Sequence, residues 1–396
     1  MMSRTAGLSN LLRWVRSTGF RLPAKRQAKA CTPNGCLSIC GRMGRIAATR
    51  RRRVLAGLIG AAGLIALATQ CSQVQVVNTL NRPAAGLFWP QDGSAPRVRF
   101  LSSIRSPDDL FVRRNWFGLA DVVAGKADRA FSVPFDVHMG RDDLLLVTDP
   151  GKCCVHFIDM RARRYQAVSG LGQATLQQPI GVTTDAGGLV YVSDSLLENV
   201  FVFDRQGRFV RALTPPGTLK RPAGLAYGAR TGCLYVADVI AHQVKVFRPD
   251  GTLVGAIGSR GAGPGQLNYP THVWVDDKGV LYVTSSLNFS ISVFDPSGNF
   301  LASFGKEGDA PGYFTRPKGV ATDRAGHIYV VDAIFDAFQI FNDRGALLAA
   351  VGSSGSGDGE FWLPAGIFID SRNRIFVADQ QNHRIEVFQY VEEATR

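Results

Sequence analysis

An aspartate, a histidine and a lysine stand out in this 396-residue chain because of where they fall in a repeat. Six prolines, Pro134, Pro179, Pro222, Pro270, Pro317 and Pro364, recur at spacings of 45, 43, 48, 47 and 47 residues. Two places after them stand Asp136, Gly181, Gly224, His272, Gly319 and Gly366. Glycine in four copies suits crowded strands with no room for side chains, which makes Asp136 and His272 departures from the rule. Lys318 directly follows the fifth proline. A carboxylate, an imidazole and an ammonium in such places could bind a metal, an anion or a polar ligand. Their plainer role is to solvate a water-filled space, and the sequence leaves both roles open.

A second polar column is more uniform. Asp149, Asp194, Asp238, Asp332 and Asp379 each end an apolar run, with Ser285 in the fourth copy. The same residue in equivalent places points to architecture, since Asp at a strand end accepts hydrogen bonds from the N–H groups of the following turn. Cys153 and Cys154 are adjacent, and a bond between them would strain a small ring. They are expected as buried free thiols, without a histidine partner that would make either a nucleophile.

The elements that position these groups follow from the rest of each repeat. The runs ending in the Asp column read LLLVTD, LVYVSD, CLYVAD, VLYVTS, HIYVVD and RIFVAD, and a further strand ending in Val/Ile-Phe or similar follows each. Outer strands complete the pattern at 209–213, 252–258, 299–305 and 346–352. A period in the forties built from short strands predicts an all-β fold, a six-bladed β-propeller with one radial sheet per repeat. Its blades open at 134, 179, 222, 270, 317 and 364, within a domain spanning 96–396.

The sixth repeat stops at its third strand, while residues 96–104 have the composition of an outer strand. This N-terminal closing strand is predicted to complete the last blade and remove two open sheet edges. In a ring of six, repeats one and four lie opposite each other. Asp136 and His272 should therefore face one another at the mouth of the central channel, with Lys318 near them. An insertion at 105–133 precedes blade one on the same face and carries Arg113, Arg114, Trp116 and Phe117. It suits either a partner-docking surface or a short helix packed on the ring.

The N-terminal part reads differently. Up to Gln91 there are fourteen Lys and Arg and no Asp or Glu, whereas the remainder has 31 basic against 32 acidic residues. The net charge of +13 thus belongs to the leader, and the near-neutral ring offers no basic groove for nucleic acid. Arg50–Arg53 followed by an apolar run to Ala68 has the layout of a secretory signal or anchor over 43–70. The run is short for a membrane span. Leu67-Ala68-Thr69-Gln70-Cys71 resembles a lipobox, with Cys71 as the lipidated residue, although Gln70 departs from that pattern. Residues 1–42 read as a non-native or disordered extension ahead of Met43, and 71–95 as a tether. Ala66-Leu67-Ala68 is also an A-x-A site for ordinary signal peptidase, so these features predict a protein of a bacterial cell envelope outside the cytoplasm, either a membrane-anchored lipoprotein or a periplasmic protein.

The run Phe376-Val377-Ala378-Asp379-Gln380-Gln381-Asn382-His383-Arg384-Ile385-Glu386-Val387-Phe388 resembles the core of an NHL repeat. With the signal and the closing strand, the chain is similar to bacterial exported six-bladed NHL propellers, most of which have no assigned activity. Related amidating lyases hold a central zinc with several histidines on inner strands. Here His272 alone occupies such a place, with His138 two residues beyond Asp136. Lactonase-type propellers use inner carboxylates around calcium, and only Asp136 qualifies. No cofactor is therefore expected, apart from a divalent metal at the channel in the enzyme reading. The leading expectation is an interaction module whose loop face binds an envelope protein, peptide or glycan. The alternative is a metal-dependent lyase or hydrolase centred on Asp136, His272 and Lys318.

Overall fold

The computed structural model describes residues 86–91, 97–111 and 129–391. Every described residue belongs to one compact unit, Val74–Arg396. The extension 1–42, the segment 43–70, Cys71, and Arg113, Arg114, Trp116 and Phe117 lie outside the described residues. Among the described residues, no helix is long and apolar enough to cross a membrane.

Six antiparallel sheets make an all-β six-bladed propeller, five built from one repeat each and the sixth from the last repeat joined by strands from ahead of the first. Blade 1 runs Asp136–Gly140, Leu144–Asp149, Cys154–Asp159 and Arg164–Val168 from the channel outward. Blades 2 to 5 begin with inner strands Pro179–Thr184, Pro222–Gly228, Pro270–Val275 and Pro317–Thr322. Blade 6 begins with Pro364–Ile369, followed by Arg374–Asp379 and Arg384–Tyr390. The second and third strands are covered by neighbouring blades on both faces, which explains their near-continuous apolar runs instead of strict alternation. Fourth strands such as Leu253–Ile257 line the circumference and are largely exposed.

Ring closure is made by Val98–Ile104, which pairs antiparallel with Arg384–Tyr390 through Val98↔Tyr390, Phe100↔Phe388 and Ile104↔Ile385. Val98, Phe100, Leu101 and Ile104 are buried there. Ser103 Oγ donates to Glu386 Oε1 across the seam at 3.1 Å. Within the stretch read as tether, Phe88–Trp89 adds a fifth strand outside the closing one. Trp89 meets Phe388 edge-on at 5.7 Å.

The Asp column does more than cap a turn. Asp194 accepts from Leu196 N and Leu197 N in the turn, and from Gln177 N and Gln178 N in the loop that enters the same blade. Asp332 repeats the pattern with Ile334, Phe335, Thr315 and Arg316. In blade 4 Ser285 Oγ takes the N–H of Asn268 at 2.9 Å, so the serine keeps the loop contact. Each bond set ties the loop between second and third strands to the loop entering the blade. Both loops therefore lie on one face, the face where the inner strands begin.

A further column joins neighbouring blades. Cys153, Glu198, His242, Phe289, Asp336 and His383 all adopt left-handed backbone just before the third strand. Four of them reach the loop entering the next blade. Cys153 Sγ contacts Gln177 O, His242 Nδ1 accepts from Tyr269 N, Asp336 Oδ1 accepts from Leu363 N, and His383 Nδ1 meets Ser132 O.

Candidate functional site

The channel wall is built by inner strands that almost touch. A Cβ added at Gly224 would lie 2.6 Å from the Cα of His272, and one at Gly366 would lie 2.7 Å from the Cα of Asp136. Glycine here is a condition of backbone contact between blades. At the two exceptions a side chain occupies the gap and takes over the bonding. Asp136 Oδ2 accepts the N–H of Val182 in blade 2 at 3.1 Å. His272 Nδ1 accepts the N–H of Val320 in blade 5 at 3.3 Å. Val182 follows Gly181 as Val320 follows Gly319, so the two exceptions do the same work in opposite halves of the ring.

They also meet each other. His272 Nε2 lies 3.5 Å from Asp136 Oδ1, and the N–H of Val137 bonds the same carboxylate oxygen at 3.0 Å. Because Nδ1 is an acceptor, a neutral His272 carries its proton on Nε2, facing the carboxylate. Both residues are buried. Facing each other from opposite blades, as their places in the repeat required, they form a floor across the channel.

Beneath this floor the channel is filled by rings. His138 sits 4.6 Å from Phe368 and Trp274 sits 5.6 Å from Phe368, centroid to centroid. His138 Nε2 shares a hydrogen bond with Thr184 Oγ1 at 2.9 Å, and Trp274 Nε1 donates to Thr322 Oγ1 at 2.9 Å. What remains is a cavity of about 80 Å³ lined by Asp136, His138, His272 and Trp274 among others, room for a few waters. This donor set does not fit a divalent cation. Asp136 and His272 already bond backbone N–H groups, and no group of three His, Cys, Asp or Glu able to hold a metal occurs among the described residues.

Burial pushes the imidazole of His138 down to about 4, against the upward pull of Asp136. An unfolded chain protonates this histidine near pH 6.5. The folded state refuses that proton, so the stabilisation is complete above about pH 6.5 and is lost as pH falls from there towards 4. Urea unfolding at pH 7.5 and pH 5 should differ by roughly 2 kcal/mol through this residue. His138→Gln should flatten that dependence, and an unchanged pH slope in the variant would contradict the assignment.

Lys318 lies one residue nearer the inner-strand start than the floor. It is half-buried, with its ammonium 5.6 Å from the centre of the Phe135 ring. Ile180, Ala223 and Val239 cluster with Phe135 and Tyr269 around the mouth. Burial, with Arg316 and Arg221 nearby, brings the Lys318 ammonium down to about 8. Further out, Leu196, Ile240, Leu287 and Ile334 stand two places after the Asp or Ser of blades 2, 3, 4 and 5, and they are 43–65% exposed. Trp362, in the loop entering blade 6, is 55% exposed. This apolar ring was not singled out from sequence, although its spacing is as regular as the Asp column.

Both thiols are free, as expected, with Cys154 buried and Cys153 only half-buried. Cys154 has a histidine partner: its Sγ lies 3.7 Å from His156 Nε2, which faces Asp149 Oδ2 at 3.2 Å. The group is buried and burial pushes the Cys154 thiol up to about 12. A protonated, enclosed thiol is no nucleophile.

Comparison with known proteins agrees with the architecture. Residues 324–393 match a family model described as a six-bladed beta-propeller. Over 105 residues the chain is 33% identical to NHL repeat-containing protein 2 of Homo sapiens, covering 23% of this chain. The chain spans only 14% of that relative's length. An auxiliary nutrient binding protein from Bacteroides thetaiotaomicron superposes with a TM-score of 0.52 at 16% identity, over 66% of this chain and 70% of the other. Virginiamycin B lyase from Staphylococcus aureus superposes with a TM-score of 0.50 at 14% identity, over 66% of this chain and 96% of the other. Identities this low speak for the fold alone.

Proposed function

We propose that this six-bladed propeller of NHL-type repeats is an exported, membrane-anchored interaction module that binds a protein of the cell envelope through its loop face. The observation that carries this reading is the ring of exposed aliphatic residues Leu196, Ile240, Leu287 and Ile334. Four turns in succession place an apolar side chain in water at the same point of the repeat. Single exposed apolar residues are ordinary, but a patterned set on one face marks a surface that meets a partner. Repeat folds commonly bind through the loops of one face. A neighbour of this fold named as an auxiliary nutrient binding protein is compatible with a binding role. Export and anchoring rest on the Arg50–Arg53 segment and Cys71.

The buried floor of Asp136 and His272 completes no catalytic set, so the lyase or hydrolase reading gains no support from the channel. Leu196→Ser, Ile240→Ser, Leu287→Ser and Ile334→Ser combined should leave folding nearly unchanged, because exposed substitutions shift stability by only about 0.5 kcal/mol each. Capture of partners from envelope extract should fall about tenfold or more, equivalent to about 1.4 kcal/mol of binding. An unchanged set and yield of captured proteins would count against the loop face.

A further inference from the structure

The mouth of the channel holds a cation that lacks a counter-ion. Lys318 forms no ion pair or hydrogen bond through its ammonium among the described residues, and neither do the side chains of Arg221 and Arg316. A charge drawn partly out of water gains from a counter-ion. The carboxylate below makes no ion pair with Lys318: Asp136 bonds the N–H groups of Val137 and Val182 and faces His272 Nε2 instead. The Lys318 ammonium lies over the Phe135 ring, which itself clusters with Ile180 and Ala223, and an ion pair formed in such apolar surroundings is stronger than one in open water. Beyond the mouth the same face carries exposed Glu198, Glu307, Asp309 and Asp358. Exposed Lys220, Arg260 and Lys306 stand among them on that face, so both signs alternate around the rim, while at the centre Lys318 has only the cations Arg221 and Arg316 beside it, an arrangement that favours a single negative group there.

Resting on the loop-face reading above, we infer that the mouth is a carboxylate site: the protein partner inserts one carboxylate over Lys318, flanked by Arg221 and Arg316, while its surrounding apolar surface meets the aliphatic ring. Four aliphatic residues on four separate blades are too widely placed for one small acid to contact, and a protein surface can contact them together. The carboxylate comes from a C-terminus or from an acidic side chain.

The test uses small probes and the intact protein. Lysines are reductively methylated with ¹³C-formaldehyde, and the Lys318 resonance is assigned by its loss in Lys318→Arg. N-acetyl-leucine represents a C-terminal carboxylate, N-acetylglutamate α-amide a side-chain carboxylate, and N-acetyl-leucine amide the neutral control. At least one acid should shift the Lys318 resonance saturably, with its apparent pKa rising from about 8, while the amide leaves it in place. Binding should weaken as pH rises above that value, because the ammonium loses its charge. The acid that acts identifies the source of the carboxylate. If neither acid moves Lys318 more than chloride at equal ionic strength, the inference is overturned. Vesicles of phosphatidylglycerol that shift Lys318 when neither acid does would overturn it in favour of a lipid. Partner capture that survives Lys318→Met but fails in the fourfold serine variant would overturn the carboxylate site and leave the loop-face reading standing.

Discussion

A chain that begins at Ser106 is expected to lose most or all of its cooperative unfolding transition. The residues removed include the closing strand Val98–Ile104 and the outer strand Phe88–Trp89. Val98, Phe100, Leu101 and Ile104 are at most 4% exposed, and burying each such side chain is worth about 1.5–3 kcal/mol. The four together approach the whole stability of a typical domain, about 5–15 kcal/mol. The loss is compounded at the seam. Phe388 would lose its edge contacts with Phe100 and Trp89, and the strand Arg384–Tyr390 would become an open edge inviting aggregation. Urea titration followed by tryptophan fluorescence and sedimentation checks this. A monomeric truncated chain with the midpoint of the full protein would refute closure by this strand.

The second large effect is expected at Arg384. Its side chain is fully buried. Nε donates to Asp379 Oδ2 at 2.9 Å, Nη2 lies 3.1 Å from Glu386 Oε1, and the guanidinium also reaches the carbonyls of Ser356, Gly357 and Glu360. Arg384→Met fills similar volume yet strands two buried carboxylates. Breaking a buried pair in this way costs about 3–5 kcal/mol. The cost should depend on pH. Burial pushes Glu386 up to about 8 even beside Arg384, so the folded state favours its protonated form, and stability from this group falls as pH rises from about 4.5 through 8. The variant should therefore be hurt more at pH 8.5 than at pH 5.5. Paired denaturation curves at the two pH values measure it, and a cost below about 1 kcal/mol at both would contradict the assigned network.

The repeat made the architecture readable because each copy spells the same strands, and the missing fourth strand of the sixth copy pointed to residues 96–104. Other features were hidden for physical reasons. Phe88–Trp89 is a two-residue strand outside the repeat, with no period to reveal it. The left-handed column that joins blades uses Cys153, His242, Asp336 and His383, three side-chain types with one geometry, so no single repeated letter marks it. Asp136 and Lys318 sit one position apart in the aligned repeats, and that step separates floor from mouth. Only the packing of neighbouring inner strands shows where the boundary falls. The Cys154–His156 contact, by contrast, was available from spacing: residues two apart on a strand share a face.

Site-specific photo-crosslinking tests the loop-face account most directly. Benzoylphenylalanine placed at Leu196, Ile240, Leu287 or Ile334 samples the exposed ring, and placed at Val210, Val254 or Leu301 it samples the equally exposed circumference. Irradiation of cells producing these variants should yield a common adduct from the ring positions and none from the circumference. Adducts from the circumference alone would contradict the loop-face account.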